Sequence, residues 1–195
     1  MGLVDRAKNI LLTPGKEWAV IDAETTSIKD LYVGYAVILA AIPPIAGIIG
    51  FGLIGLHIPF STVTWRWPLD TAIEHAIVQY VLSLGSVFVL ALIIDNLAPT
   101  FGGQKNQLQA LKVAIYASTA SWVAGIFVII PALTVLSLLG LYTLYLLYAG
   151  LPVLMKSPKD KAMGYTVVTI ICAIVLFVVV GAIANAVISA PRYLT

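Results

Sequence analysis

The apolar block from Val113 to Met155 is nearly twice as long as a bilayer core is thick, because a crossing helix needs only about 20 residues at about 1.5 Å each. Such a block must double back. Pro131, near its middle, is the expected turn, which makes the block a tight helical hairpin of two crossings.

Five segments in all are long and apolar enough to cross, roughly 32–56, 71–94, 108–130, 132–154 and 164–190. The composition leaves few alternatives: 61% of the residues are hydrophobic and 10% charged, with a mean hydropathy of +1.02. A soluble domain of 195 residues has too much surface to leave almost uncharged, so an ordinary cytosolic enzyme is excluded. A nucleic-acid binder is excluded as well, since the net charge is only +2 and the basic residues are scattered at the ends of apolar runs. The expected fold class is an all-α integral membrane protein, with residues 31–195 forming a five-helix transmembrane domain. No domain boundary interrupts it. Cys172 stands alone in an apolar run, which rules out an intrachain disulfide and a cysteine-based metal site.

Five crossings put the two termini on opposite sides. Arg6, Lys8, Lys16, Lys29, Lys105, Lys112, Lys156, Lys159 and Lys161 fall on one side and only Arg66 and Arg192 on the other, so nine basic residues face two. The positive-inside rule then puts the N-terminus in the cytoplasm and the C-terminus outside, with cytoplasmic loops at Asp95 to Gln107 and Lys156 to Met163. Trp65 and Trp67 fall in an outer loop, as an interfacial aromatic belt requires.

Residues 1–30 form a cytoplasmic arm. The first residues do not read as a cleavable signal, because Asp5 interrupts the basic region and Ile10 to Leu12 is too short an apolar core. Leu3, Val4, Ala7, Ile10 and Leu11 recur at helical spacing opposite Asp5, Arg6, Lys8 and Asn9, which predicts a short amphipathic helix. Thr13 and Pro14 are expected to cap and open a second piece carrying Trp18 and Ile21. Both pieces are expected to lie on the membrane surface, the alternative being that they pack over the bundle.

Polar residues inside the spans are the intramembrane candidates, since unpaired polar groups are costly in lipid. On the second helix His75, Gln79, Ser83 and Ser86 fall within about 80° of one face, which is expected to point into the bundle, while Glu74 sits with His75 near the outer end. Such a stripe serves either ordinary interhelical hydrogen bonds or a polar path. Tyr142, Tyr145 and Tyr148 follow at three-residue steps on the fourth helix, where the Tyr142 hydroxyl needs a partner and Ser83 is at similar depth. Ala114, Ala117, Ser118, Ser121 and Gly125 on the third helix, and Gly181, Asn185 and Ser189 on the fifth, read as packing seams. Adjacent Pro43 and Pro44 must break the first helix.

Catalytic motifs are missing. Leu84-Gly85-Ser86-Val87 lacks the second glycine of a nucleophile elbow, Glu74-His75 has no second histidine at helical spacing, and Gly102-Gly103 lacks the spacing of a phosphate loop. No enzymatic activity, metal or cofactor is expected.

Several stretches resemble the bacterial branch of the Yip1 domain family of five-span membrane proteins. They are Leu12-Thr13-Pro14 with Glu17-Trp18 and Ile21; Ala98-Pro99-Thr100-Phe101-Gly102-Gly103 with Ala110-Leu111-Lys112 and Tyr116; Leu141-Tyr142 with Tyr145; and Lys161 with Tyr165. The resemblance implies a helical membrane domain with a cytoplasmic N-terminus, in a family whose members are thought to shape or organise membranes. Eukaryotic relatives are associated with small GTPases, but Asp95-Asn96-Leu97-Ala98-Pro99 matches their Asp-Leu-Tyr-Gly-Pro motif only loosely and their long acidic extension is missing, so GTPase binding is not carried over.

The expected role is non-enzymatic: organising or shaping the bacterial inner membrane through membrane lipids, or through other membrane proteins or self-association, at the cytoplasmic face. Asp95, Pro99, Phe101, Gly102, Gly103, Lys105 and Lys112 are the candidate residues, with Lys105 and Lys112 expected on one face near anionic headgroups. The rival is a transporter or channel for an ion or small solute, built on the polar stripe and the broken first helix. The chain carries no visible internal repeat, which weakens the rival. A solvated cavity reaching past Ser83 would favour it.

Overall fold

A computed structural model of the chain describes residues 1–57 and 64–188. Ser189, Arg192 and the end of the fifth expected span lie outside the described residues. Among these residues the chain is helical apart from one two-residue antiparallel ladder, β1 (Leu56–His57) against β2 (Thr64–Trp65), which pairs Leu56 with Trp65. Five helical segments are long and apolar enough to cross a membrane: Ile28–Ile54, Leu69–Phe101, Gln107–Ile129, Pro131–Leu154 and Asp160–Ala184.

The first span starts at a capping box, in which the Asp30 N–H donates to Ser27 Oγ at 3.1 Å and the Ser27 N–H to the Asp30 carboxylate at 3.4 Å. It is broken as Pro43 and Pro44 require. α3 (Ile28–Leu31) passes through a π-helical turn, Tyr32–Ala36, into α4 (Val37–Ala40), and α5 (Ile42–Gly47) continues into a second π turn, Ile48–Ile54. Proline lacks the N–H that would continue the ladder, and α6 (Leu69–Leu97) supplies one donor to a carbonyl nearby. The Tyr80 hydroxyl donates to the Val37 carbonyl at 2.9 Å. The bend lays Pro43 against Gly125, where a Cβ would stand 2.5 Å from the proline Cγ, so only glycine allows this approach.

α7 (Gln107–Ala124) is the centre of the bundle. The Asn106 side chain caps it by accepting the Gln109 N–H at 3.1 Å, and Ala114 and Ala117 of the expected small-residue seam are fully buried. The chain turns at Pro131, as the apolar block demanded, but the return strand of the hairpin is not α-helical at first. Pro131–Leu141 is a 3₁₀-helix leading into α8 (Tyr142–Leu154). Three residues per turn bring Thr134, Ser137 and Gly140 onto one side, and a Cβ on Gly140 would lie 3.1 Å from the Ser121 Cα. The small, polar period of three favours the tighter helix against α7. α9 (Lys159–Ile188) closes the bundle against α6 and α8. On α9 the expected seam is not a contact at Gly181, around which a Cβ would meet nothing within 4 Å.

The arm departs from the surface-lying expectation. α1 (Leu3–Leu12) packs on α7 and α2 (Pro14–Ala23) on α8, and Ile10, Trp18 and Ile21 are fully buried. Leu3, Ala7, Ile10 and Leu11 of the expected apolar face meet protein, but Val4 is exposed, and Arg6, expected on the polar face, is buried because acids of the arm surround it. Pro14, Glu17, Trp18 and Ile21 share one helical face and are all buried, with Trp18 filling the space over Gly150. Thr13 makes no side-chain cap to α2; its hydroxyl donates back to the Asn9 carbonyl at 3.1 Å and so closes α1 instead.

Candidate functional site at the arm-bearing end

The second span is longer than a bilayer core is thick. Leu69–Phe101 is 33 residues, about 50 Å at 1.5 Å per residue, against a hydrocarbon core of about 30 Å. Its exposed large apolar side chains run from Leu69 to Val89 and stop, although the helix goes on to Leu97. On the hairpin an exposed apolar run from Leu133 to Leu141 gives way to the exposed rings of Tyr142, Tyr145 and Tyr148, the residue type that favours a headgroup zone. The arm packs beside that excess length, and the Tyr142 hydroxyl donates to the Leu11 carbonyl at 3.1 Å. Tyr142 therefore does not reach Ser83; its partner is the arm backbone, and its ring lies 5.3 Å from that of Tyr145.

A polar cluster joins the arm to the bundle. The Arg6 guanidinium, 4% exposed, pairs with Glu17, also 4% exposed, and with Glu24, and lies over the Tyr116 ring at 5.5 Å. Behind it the Tyr35 and Thr119 hydroxyls share a hydrogen bond of 2.8 Å, and Tyr35 meets Tyr116 edge-on. Lys112 Nζ donates to the carbonyls of Ile21 at 2.8 Å and Glu24 at 2.7 Å, serving carbonyls at the end of α2 that have no helical partner. At 2% exposure Lys112 is covered by the arm and cannot face headgroups together with Lys105, which is exposed in the loop before α7. Asp22 binds Lys156 Nζ at 2.5 Å and accepts from Gln109 Nε2 at 3.2 Å.

The other loop candidates form a stitched corner. A 3₁₀ turn, Ala98–Phe101, contains Pro99 and Phe101, and Gly102 follows at φ 69°, in the left-handed region that favours glycine. The Gly103 N–H returns to the Ala98 carbonyl and the Gln104 N–H to the Met155 carbonyl, both at 2.8 Å. Phe101 stacks on Tyr165 at 5.3 Å, and the Tyr165 hydroxyl donates to the Ile94 carbonyl at 2.5 Å. Asp95 is buried beside this corner with Lys105 Nζ 4.0 Å from one carboxylate oxygen.

The intramembrane stripe divides. His75 and Gln79 line a cavity of about 180 Å³ together with Pro43, Pro44, Trp67 and Val128. Ser83 is not among its lining residues. Its hydroxyl accepts from Trp122 Nε1 at 3.2 Å and its carbonyl from the Ser86 hydroxyl at 2.8 Å, while Glu74 is exposed. Gln79 is exposed as well, so the stripe does not point into the bundle along its whole length. The helix break and the His75 and Gln79 half of the stripe thus meet at one place, while Ser83 bonds across to α7 and Ser86 bonds back to its own helix.

The model of the Yip1 domain matches residues 8–181. The chain belongs to the Yip1 domain family. It is also 25% identical over 174 residues to the inner membrane protein YohC of Escherichia coli strain K12, a match that covers 87% of this chain and 89% of the relative, and the YohC of an O6:H1 strain aligns equally well. No solved structure matches the chain. This Yip1 domain is a multi-pass membrane protein, and the matched region takes in most of the arm, including Glu17, Trp18 and Glu24.

Sequence reasoning missed the cluster of Arg6, Glu17 and Glu24 in this Yip1 domain. A usable signal was present. Glu17 shares a helical face with Trp18 and Ile21, so a buried acid, and hence a cationic partner, was foreseeable.

Proposed function

We propose that this Yip1 domain organises or shapes the membrane, without enzymatic chemistry, from the end that carries the arm, and that lipid is its first partner. The observation that supports this is the docked arm: two extra helices enlarge the bundle at one end only, where the exposed apolar runs of the second and fourth spans give out. A body wider in one leaflet than in the other acts as a wedge, and the bilayer relieves the mismatch by bending or by sorting lipids. The test is reconstitution of the full chain into vesicles of uniform size. Vesicle diameter should fall as the protein-to-lipid ratio rises, and should not fall with a variant whose arm is undocked. Unchanged diameters with the wild-type chain at every ratio would sink the reading.

The charge bias supports placing the arm-bearing end in the cytoplasm. Single cysteines replacing Lys105 and Lys161, both exposed, should react with an impermeant thiol reagent only from that side, and one replacing the exposed Arg66 only from the other. Reaction of Lys161→Cys and Arg66→Cys from the same face would refute the five-crossing path. A solute path draws some support from the cavity at His75 and Gln79, but Ser83 and Trp122 satisfy each other where such a path would have to continue.

A further inference from the structure

The arm and the entrance of the first span enclose a second cavity, of about 240 Å³, which the polar cluster only partly fills. Its lining includes Met1 at the chain's amino terminus, Arg6, Glu24, Asp30, Tyr35 and Tyr116. The chemistry of that wall is specific. Glu24 is bound through one carboxylate oxygen to Arg6, and Asp30 through one to Ser27, which leaves each acid an oxygen to accept a further hydrogen bond. Tyr116 is 7% exposed and packs against Arg6 and Tyr35 through its ring, yet its hydroxyl makes no hydrogen bond to any described residue. A phenol so placed in a polar cavity calls for an acceptor from outside the protein.

We propose that this cavity binds the headgroup of a zwitterionic phospholipid that carries a primary amine, with the ammonium between Glu24 and Asp30 and a phosphate oxygen accepting from the Tyr116 hydroxyl. The proposal rests on the reading above, that the arm lies at headgroup level. Three features select this ligand. The cavity opens beside Gly34 at the start of a membrane span, where a headgroup can enter while its acyl chains stay in the bilayer. Two acids with free acceptor oxygens match an ammonium, which is donor-only, whereas the neutral glycerol of phosphatidylglycerol brings no cation to meet them. A quaternary ammonium lacks the N–H groups those oxygens require, so a choline headgroup should bind less well.

The experiment is native mass spectrometry of the detergent-solubilised full chain with phosphatidylethanolamine, phosphatidylcholine or phosphatidylglycerol. Phosphatidylethanolamine should bind about tenfold tighter than either of the others, the size of one charge-assisted hydrogen bond. Asp30→Asn, at an exposed position where the amide can still cap α3, should remove most of that preference. Tyr116→Phe keeps the ring contacts and should weaken phosphatidylethanolamine severalfold. Displacement of the lipid by free phosphoethanolamine would support the headgroup chemistry. Tighter binding of free phosphoethanolamine than of the lipid would overturn the assignment to a membrane lipid. Equal binding of the three lipids, or a preference untouched in both variants, would overturn the site itself. The readout is independent of curvature: selective binding with no effect on vesicle diameter would refute the shaping role and leave the site standing.

Discussion

Arg6→Ala is expected to undock the arm. The substitution leaves Glu17, 4% exposed, with a buried charge and no counterion, and breaking a buried pair from one side costs about 3–5 kcal/mol. Hydrogen exchange should report it directly: amides of α1 and α2 should lose protection while those of α7 keep theirs. The effect comes from the orphaned acid rather than from the value of the pair, so Arg6→Met combined with Glu17→Leu should recover most of the loss. Protection of α1 unchanged in Arg6→Ala would show that apolar packing alone holds the arm.

Trp18→Ala should be as damaging by a different route. The indole is fully buried and so close to Gly150 that a Cβ there would stand 2.7 Å from its ring carbons, so truncation opens a cavity that the helices cannot close. Large aromatic truncations of this kind cost about 3–5 kcal/mol, and Trp18→Phe should lose far less. The indole N–H finds no acceptor among the described residues, so packing is the whole of its contribution. The two losses should not add. Once either substitution has freed the arm there is nothing left for the other to destabilise, and the double mutant should unfold at about the same denaturant concentration as the weaker single.

The parts of the fold that the sequence announced are those set by length and backbone chemistry. A block of apolar residues too long for one crossing must turn, and adjacent prolines cannot continue a ladder, whatever surrounds them. What it left open was the environment of each face. The pattern of Leu3, Ala7, Ile10 and Leu11 is the same whether the apolar partner is lipid or helix, and only the pairing of Arg6 with acids 11 and 18 residues away decides between them. Lys112 was misplaced for a related reason. A lysine at the edge of an apolar run is ordinarily a boundary marker, but its neighbours Leu111 and Val113 are fully enclosed, and its charge is spent on carbonyls of the arm. The 3₁₀ stretch after Pro131 was written in the three-residue recurrence of Thr134, Ser137 and Gly140, which an α-helical period overlooks.

The central position of α7 bears on how the protein enters the bilayer during synthesis. Its span has the lowest mean hydropathy of the five, 1.5 against 3.1 for the last, and is 67% enclosed by its neighbours. Released alone into lipid it would expose the Thr119 and Tyr116 hydroxyls to hydrocarbon, the first without the Tyr35 hydroxyl that it meets in the folded bundle. The following span, with a mean hydropathy of 1.8 and a turn fixed by Pro131, follows it at once and packs along it, with Gly140 against the Ser121 backbone. The insertion machinery must therefore hold the two together and discharge them as a pair, so that the least greasy helix never meets the bilayer unaccompanied.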